Sequence, residues 1–465
     1  MTPDPLPALK AGILGRFWTL DKDPTPSGQL QEKDARAGQL QVVAGMVRVK
    51  TQSAGTHTLE DWHEAFTTMA EGGAPAPRWI AGITELGTVV VPVVSTEAMH
   101  ESLGGNRVST RTFRSPAVAV GVEQPYGPRL TRLAVRLPYA AWADLDPMST
   151  VGHFDDQNRW TGLDIQLRGT EQVACGRVGS IALSLRGTWN RHDDEQEHRT
   201  WIGTGLEVIT ESKTPRDHDE HVEVIMGVQD LVSLAYDRFL PATRAGVVLE
   251  GDDSGRSSTW FYHRELVEAS GLTEEPSTDE QKRPLFKLSD LGGPSAVSRW
   301  VTLNRQYPDA ANAIRVRYRT PTNPTRRIIE LGAAIEQYVR TNVAEARTRG
   351  RTTPGWTRPE PWEAALAQHA GAGFANLVGD PLRWGRLFNA AYVSEKHYTG
   401  ARYPAAELLR LSSSAQLLLI SILLNRAAGS HKPSQVILAD HRVNQLGEVI
   451  RPLVASWKPT KGRRA

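Results

Sequence analysis

The chain has 465 residues, enough for two or three domains that each bury a core. Its 54 basic and 52 acidic residues leave a net charge of +2, which excludes a strong global field pulling it onto nucleic acid or membrane and leaves only local basic patches. The single cysteine, Cys175, excludes an intramolecular disulfide framework and a cysteine-based zinc cluster, and it fits a reducing cytoplasm.

The opening MTPDPLPALKAG lacks a basic start followed by an apolar run, so no signal peptide is expected. The first three hundred residues read as β-rich, with short Val-, Ile-, Thr- and Leu-heavy runs set between Gly, Pro and Asp clusters. Strand-like runs occupy residues 40–49, 79–94, 133–137, 206–210 and 245–250, and residues 163–167 and 181–185 alternate as half-buried strands do. Residues 21–28 and 71–78 carry turn chemistry. Two helices are expected here, at 221–239 and 296–307, from apolar residues at helical spacing.

Pro321-Thr322-Asn323-Pro324 marks a boundary, because two prolines restrict the backbone on both sides. Beyond it, helical patterns cover 327–347, 361–370, 382–397 and 407–426, with a weaker one at 442–455. Residues 348–361 form a basic Pro- and Gly-containing loop, and residues 458–465 a basic tail. The longest apolar run, 417–424, is far shorter than the roughly 20 residues of a membrane span, and no membrane association is expected. Leu408, Leu409, Leu411, Leu417, Leu418, Leu419, Ile422 and Leu423 cover more than one narrow stripe, as in a core helix or one shared between core and dimer interface.

No Walker-type Gly-Lys-Ser, GxGxxG after a strand or GxSxG is present, which argues against nucleotide hydrolysis, a dinucleotide fold and an α/β-hydrolase. The pairs His218/His221 and His192/His198 mix imidazole with carboxylate as metal sites do, but read better as solvated polar loops; no metal or other cofactor is expected. The thirteen tryptophans are scattered, most of them suited to core packing and a few to recognition. Arg347, Arg349 and Arg351 make the densest basic stretch outside the tail, either a solvated linker or a track for an RNA backbone.

The order of several features resembles ApeA-like proteins. Gly15-Arg16-Phe17-Trp18-Thr19-Leu20 with Gly28-Gln29-Leu30, and Ile80-Ala81-Gly82 followed by Gly87 and residues 89–94, resemble the start of their N-terminal domain. Val228-Gln229-Asp230-Leu231-Val232-Ser233-Leu234-Ala235, followed by Val247-Val248-Leu249, resembles the family's LQxLLSLA helix and the strand after it. Residues 328–340 (IIELGAAIEQYVR) resemble the FLxLxxALExxxR helix that opens its HEPN domain, and His397-Tyr398 its closing HY.

The resemblance implies an α+β multidomain protein of prokaryotic anti-phage defence. A β-rich, sandwich-like region at 1–325, with room for two subdomains, would sense or regulate, and an all-α HEPN-like domain would span 326–457. Active HEPN domains cleave RNA without metal and pair through their site helices. The implied partners are RNA, tRNA among the candidates, a phage protein trigger, and a second copy docked through helices 382–397 and 407–426.

The family signature places an arginine a few residues before the histidine, near Tyr392; Tyr392-Val393 stand there instead. His397 is the candidate base or acid, since imidazole titrates near neutrality. Arg386 lies eleven residues back, a rise of about 16 Å along a helix. Asn389 lies within roughly 80° of His397 around the helix, Lys396 is adjacent, and Arg402 follows the turn. A dimer could supply the missing cation. The alternative is a degenerate HEPN protein that binds RNA or a phage protein. The β-rich region is expected to carry recognition in loops 51–58, 191–199 and 213–220, because binding residues favour loops on a rigid scaffold.

Overall fold

The computed structural model describes residues 4–20, 35–54, 77–101, 108–122, 129–194, 199–251, 259–268, 283–320, 323–348, 361–398 and 403–458. The expected α+β class is observed: an antiparallel sheet region is followed by a helical region.

The first strands are β1 (Ile13–Leu20), β2 (Arg36–Val43), β3 (Met46–Ala54), β4 (Trp79–Thr84) and β5 (Gly87–Pro92). After them come β6 (Ser95–Glu101), β7 (Val108–Ser115), β8 (Ala117–Val120) and β9 (Arg129–Pro138). The series continues with β10 (Met148–Phe154), β11 (Trp160–Leu167), β12 (Val173–Val178), β13 (Ile181–Asp194), β14 (Arg199–Asp217), β15 (Arg244–Leu249) and β16 (Thr259–His263). Fourteen of them form one sheet in the order β12-β13-β14-β9-β15-β16-β8-β5-β4-β1-β2-β3-β7-β6, and each neighbouring pair is antiparallel.

Two apolar runs that read as single strands are hairpins. Residues 40–49 turn at Ala44-Gly45, where φ is 48° and 74°, and residues 79–94 turn between Thr84 and Gly87. The hydrophobic stretch continues through each turn, so periodicity alone hides the reversal. Residues 163–167 are not half-buried. They lie in the separate β10–β11 ribbon, where Val151, Phe154, Trp160, Leu163 and Ile165 are all exposed.

The helices are α1 (Leu6–Ala11), α2 (His218–Ala235), α3 (Arg264–Val267), α4 (Ser295–Gln306), α5 (Pro308–Arg319) and α6 (Pro324–Thr348). They are followed by α7 (Trp362–His369), α8 (Ala372–Val378), α9 (Pro381–His397), α10 (Ala405–Ala428), α11 (Lys432–Ala439) and α12 (His441–Ser456). The helix expected at 221–239 starts and stops earlier, at His218 and Ala235. Sequence reading missed α1, α3, α5, α8 and α11; α5 and α11 carry proline in the first turn, where its fixed φ suits helix entry.

A small core encloses Phe17, Leu40, Val49, Ile80, Val91, Phe113 and Tyr262 in the β1–β8 half of the sheet. A larger core runs without a break from β9, β13 and β14 through α2 and α4 to α6, α9 and α10. Polar ties cross it. Arg315 Nε donates to Asp230 Oδ2 at 2.7 Å, and Arg319 donates to Gln229 Oε1 at 3.0 Å and to Asp230 Oδ1 at 3.3 Å. Helix α10 is long and apolar enough to cross a membrane by length and composition, but 72% of its apolar window is buried inside the protein, the pattern of a core helix.

Candidate functional site

Helix α9 carries most of the expected catalytic set. Asp380 caps its start by accepting from the Arg383 backbone N–H at 3.0 Å, and Pro381 occupies the first turn. Trp384, Leu387, Phe388, Ala391 and Tyr392 form the buried face. Trp384 stacks on Phe388 with ring centroids 5.4 Å apart and donates its indole N–H to Ser414 Oγ at 2.9 Å. Gly385 lets α9 close onto α7: a Cβ there would lie 2.2 Å from the Ala364 Cα. The helix ends at Tyr398, in the left-handed region at φ 53°, a conformation uncommon for a residue other than glycine.

His397 and Tyr398 are both exposed at this end, Tyr398 to 92%. Arg386 is exposed and Asn389 half-buried, farther back on the same helix. Arg347 lies in the last turn of α6. Arg349, Arg351 and Arg402 lie outside the described residues, as does His198.

Tyr392, where the signature arginine is expected, is 1% exposed, and its ring packs on Gly332, where an added Cβ would come within 2.4 Å. Lys396 Nζ donates to the Tyr392 hydroxyl at 2.7 Å and lies 4.8 Å from the ring centroid. Burial raises the Tyr392 hydroxyl, with the Lys396 hydrogen bond opposing; the same bond raises Lys396. Lys396 is therefore drawn back along its own helix toward the tyrosine.

Sequence reasoning missed the carboxylates beside this pair. Glu336 on α6 bonds Tyr392 and approaches Arg340 Nη2 at 3.5 Å. Glu363, in the first turn of α7, is 2% exposed, and burial pushes its carboxyl up to about 7, with Glu336 adding to the shift. The only signal for Glu363 was an acid set among the apolar residues of Trp362–His369.

The sheet region also departs from expectation. His218 and His221 are not in a solvated loop. They open α2, and both are buried, because residues 213–217 continue β14 directly into the helix. The recognition loops shrink accordingly: Arg191–Asp194 and Arg199 belong to β13 and β14, and Thr51–Ala54 to β3. His221 Nδ1 bonds Thr210 Oγ1 at 2.9 Å and its Nε2 meets Ser212 Oγ at 3.3 Å, and burial lowers it to about 4.

His218, Asp219 and His263 bring three potential ligand atoms within 4.8 Å of one another, and His218 Nε2 lies 3.2 Å from Asp219 Oδ1. However, His263 Nδ1 accepts from the Glu265 backbone N–H at 3.3 Å, which leaves the ring proton on Nε2. Offering either nitrogen to a metal would cost that bond. Burial, then His218 and Arg319, also lower His263 to about 3. The two histidines are better described as a buried pair held neutral beside the exposed Asp219 than as a ready metal centre.

The residues that resemble one family lie on β1 (Gly15–Leu20), on β4 and β5, on α2 (Val228–Ala235) and on β15 (Val247–Leu249). A family model described as ApeA N-terminal domain 1 matches residues 15–300, more than half of the chain. The chain belongs to the ApeA N-terminal domain 1 family. The ApeA match runs from β1 into α4, and α5 to α12 lie beyond it. No curated protein and no solved structure matches the chain significantly.

Proposed function

We propose that this ApeA-family chain acts in anti-phage defence, with the sheet region recognising a phage component and the helical region serving as a HEPN-type effector on RNA. The observation that carries the effector half is the exposed His397-Tyr398 pair at the free end of α9, where the family's closing HY is expected. A solvent-facing imidazole beside an exposed aromatic ring suits a single-stranded RNA: the ring can stack on a base and the imidazole can move a proton.

In this reading His397 deprotonates the RNA 2′-OH or protonates the leaving oxygen, and no metal is needed. A cation must still neutralise the charge that builds on the phosphorus oxygens. Tyr392 fills the position that would supply it from the same helix, so the cation comes from elsewhere: Arg386 of a second copy, or Arg402. Val393 on α9 and Leu409 on α10 are exposed apolar residues, 41% and 52%, that support pairing through these two helices. Arg347, Arg349, Arg351 and Lys396 would track the RNA backbone.

The exposed Phe154 and Trp160 of the β10–β11 ribbon support a recognition role for the sheet region, since aromatic side chains anchor interfaces. The buried Tyr392 favours a second reading, a degenerate HEPN domain that holds RNA or a phage protein without cutting.

Incubating the purified full chain with total RNA or tRNA, in the presence of phage lysate, separates these readings. Cleavage that disappears in His397→Ala supports the nuclease. Equal cleavage by both proteins removes His397 from the site. RNA binding by both with cleavage by neither establishes the degenerate domain.

A further inference from the structure

Two arginines share the inward face of the β1–β8 half of the sheet, where it encloses the small core. Register fixes which side chains face that core, because residues two apart along a strand point the same way. Phe17 of β1 is fully buried in it, and Arg36 of β2 stands directly opposite Phe17. The same face of β2 continues through Gly38 to the buried Leu40 and Val42. On β3 it runs from Val47 and Val49 to Thr51. Arg111 of β7 stands opposite Thr51, two residues before the buried Phe113. Beyond Ser115 and Pro116 the chain enters β8, whose Val118 and Val120 belong to the same core, so the sheet curls round it. Arg36, Thr51 and Arg111 therefore sit on one face of three neighbouring strands, β2, β3 and β7.

Their polar demands are unmet. Both arginines are half-buried. Burial, then the Arg111 charge, lowers Arg36, so the two guanidiniums oppose each other. Thr51 is 1% exposed, and its hydroxyl and Arg111 Nε are buried without a hydrogen-bond partner. Buried polar groups of this kind call for a water or an ion when the protein does not pair them. The strands round this core offer no carboxylate: β1, β2, β3, β4, β5, β7 and β8 contain neither aspartate nor glutamate.

We propose that Arg36 and Arg111 together bind a phosphate group, either free or as the monoester of a nucleotide. Each guanidinium can fork onto a pair of phosphate oxygens, and a doubly charged anion offsets the repulsion between two cations. A carboxylate would bring one negative charge against two positive ones. The open end of a curled sheet is also a common place for a small ligand. The site uses no residue of the helical region, so it does not depend on whether His397 cleaves RNA.

The test uses the full chain, with isothermal titration and thermal melting at fixed ionic strength. The probes are inorganic phosphate and AMP, with chloride as the control anion. Arg36→Gln and Arg111→Gln are the primary variants. Lys50→Gln, on the opposite face of β3, is the control for general surface charge. The wild type and Lys50→Gln should bind phosphate or AMP alike, and each arginine variant should bind about tenfold more weakly, as for the loss of a charge-assisted hydrogen bond. Similar affinities for the two probes assign the phosphate alone, and tighter binding of AMP assigns a nucleotide. With chloride only, each arginine variant should melt no lower than the wild type, because it relieves the repulsion between the pair. Three results would overturn the proposal: no binding of either probe, equal binding by the wild type and both arginine variants, or a loss in Lys50→Gln as large as theirs. Arginine variants that melt well below the wild type in chloride would also overturn it, since the pair would then serve packing.

Discussion

Glu363 gives the sharpest energetic prediction. The carboxyl is 2% exposed, and burial moves it from its ordinary 4.5 up to about 7. Glu336 pushes in the same direction, while its own backbone N–H and Lys396 oppose. The folded chain therefore holds this proton more tightly than the unfolded chain. The resulting stability is fully present below pH 4.5, falls as pH rises toward 7, and is gone above about 7. A gap of about 2.5 units corresponds to about 3 kcal/mol. Glu363→Gln keeps the shape and removes the titration. Urea unfolding of both proteins at pH 5 and pH 8 should show the variant gaining about 3 kcal/mol relative to wild type between the two conditions. The same stability difference at both pH values would refute the argument, because Glu363 would then be no harder to ionise in the folded chain than in the unfolded one.

Four further outcomes follow from the packing. Gly385→Ala should lower the urea midpoint by the equivalent of about 3 kcal/mol, because its Cβ would sit 2.2 Å from the Ala364 Cα; an unchanged midpoint would contradict the close α7–α9 approach. Tyr392→Phe should cost only about 1 kcal/mol, since Lys396 is exposed and can turn to water. Asp230→Ala should cost about 3–5 kcal/mol, because Arg319, 8% exposed, loses its carboxylate; a loss below about 1 kcal/mol would show that its other partners suffice. A chain cut to residues 321–465 should be insoluble or molten by near-ultraviolet circular dichroism, because its apolar surface is completed by β9, β13, β14, α2 and α4. A soluble, well-packed fragment would contradict a shared core.

The helical region was the more legible half. The apolar spacing of 327–347, 382–397 and 407–426 is long enough for periodicity to place α6, α9 and α10 within a few residues. The shorter α8 and α11 offered too few turns to stand out. In the sheet region, turns such as Ala44-Gly45 fall inside continuous apolar runs, so two hairpins read as two strands. The β10–β11 ribbon shows the converse error: alternation suggested a buried face, yet among the described residues no layer covers it.

The sites were less legible than the fold. His397 was visible because it closes an amphipathic helix and matches a family pattern. The histidines of α2 were misplaced because their polar neighbours imitate a loop, while the walls that bury them come from β14 and β16. Glu363 was invisible for a related reason: its environment is set by Glu336 and Lys396, which are far from it in sequence.

Phage plating tests the defence reading most directly. Cells expressing the full chain, the His397→Ala variant or an empty vector are challenged with a panel of phages, with protein levels matched by immunoblot. The account predicts fewer plaques for at least one phage with the wild-type chain, and loss of that protection with His397→Ala. Equal protection by both proteins would remove the exposed end of α9 from the mechanism, and no protection against a broad panel would contradict the defence function itself.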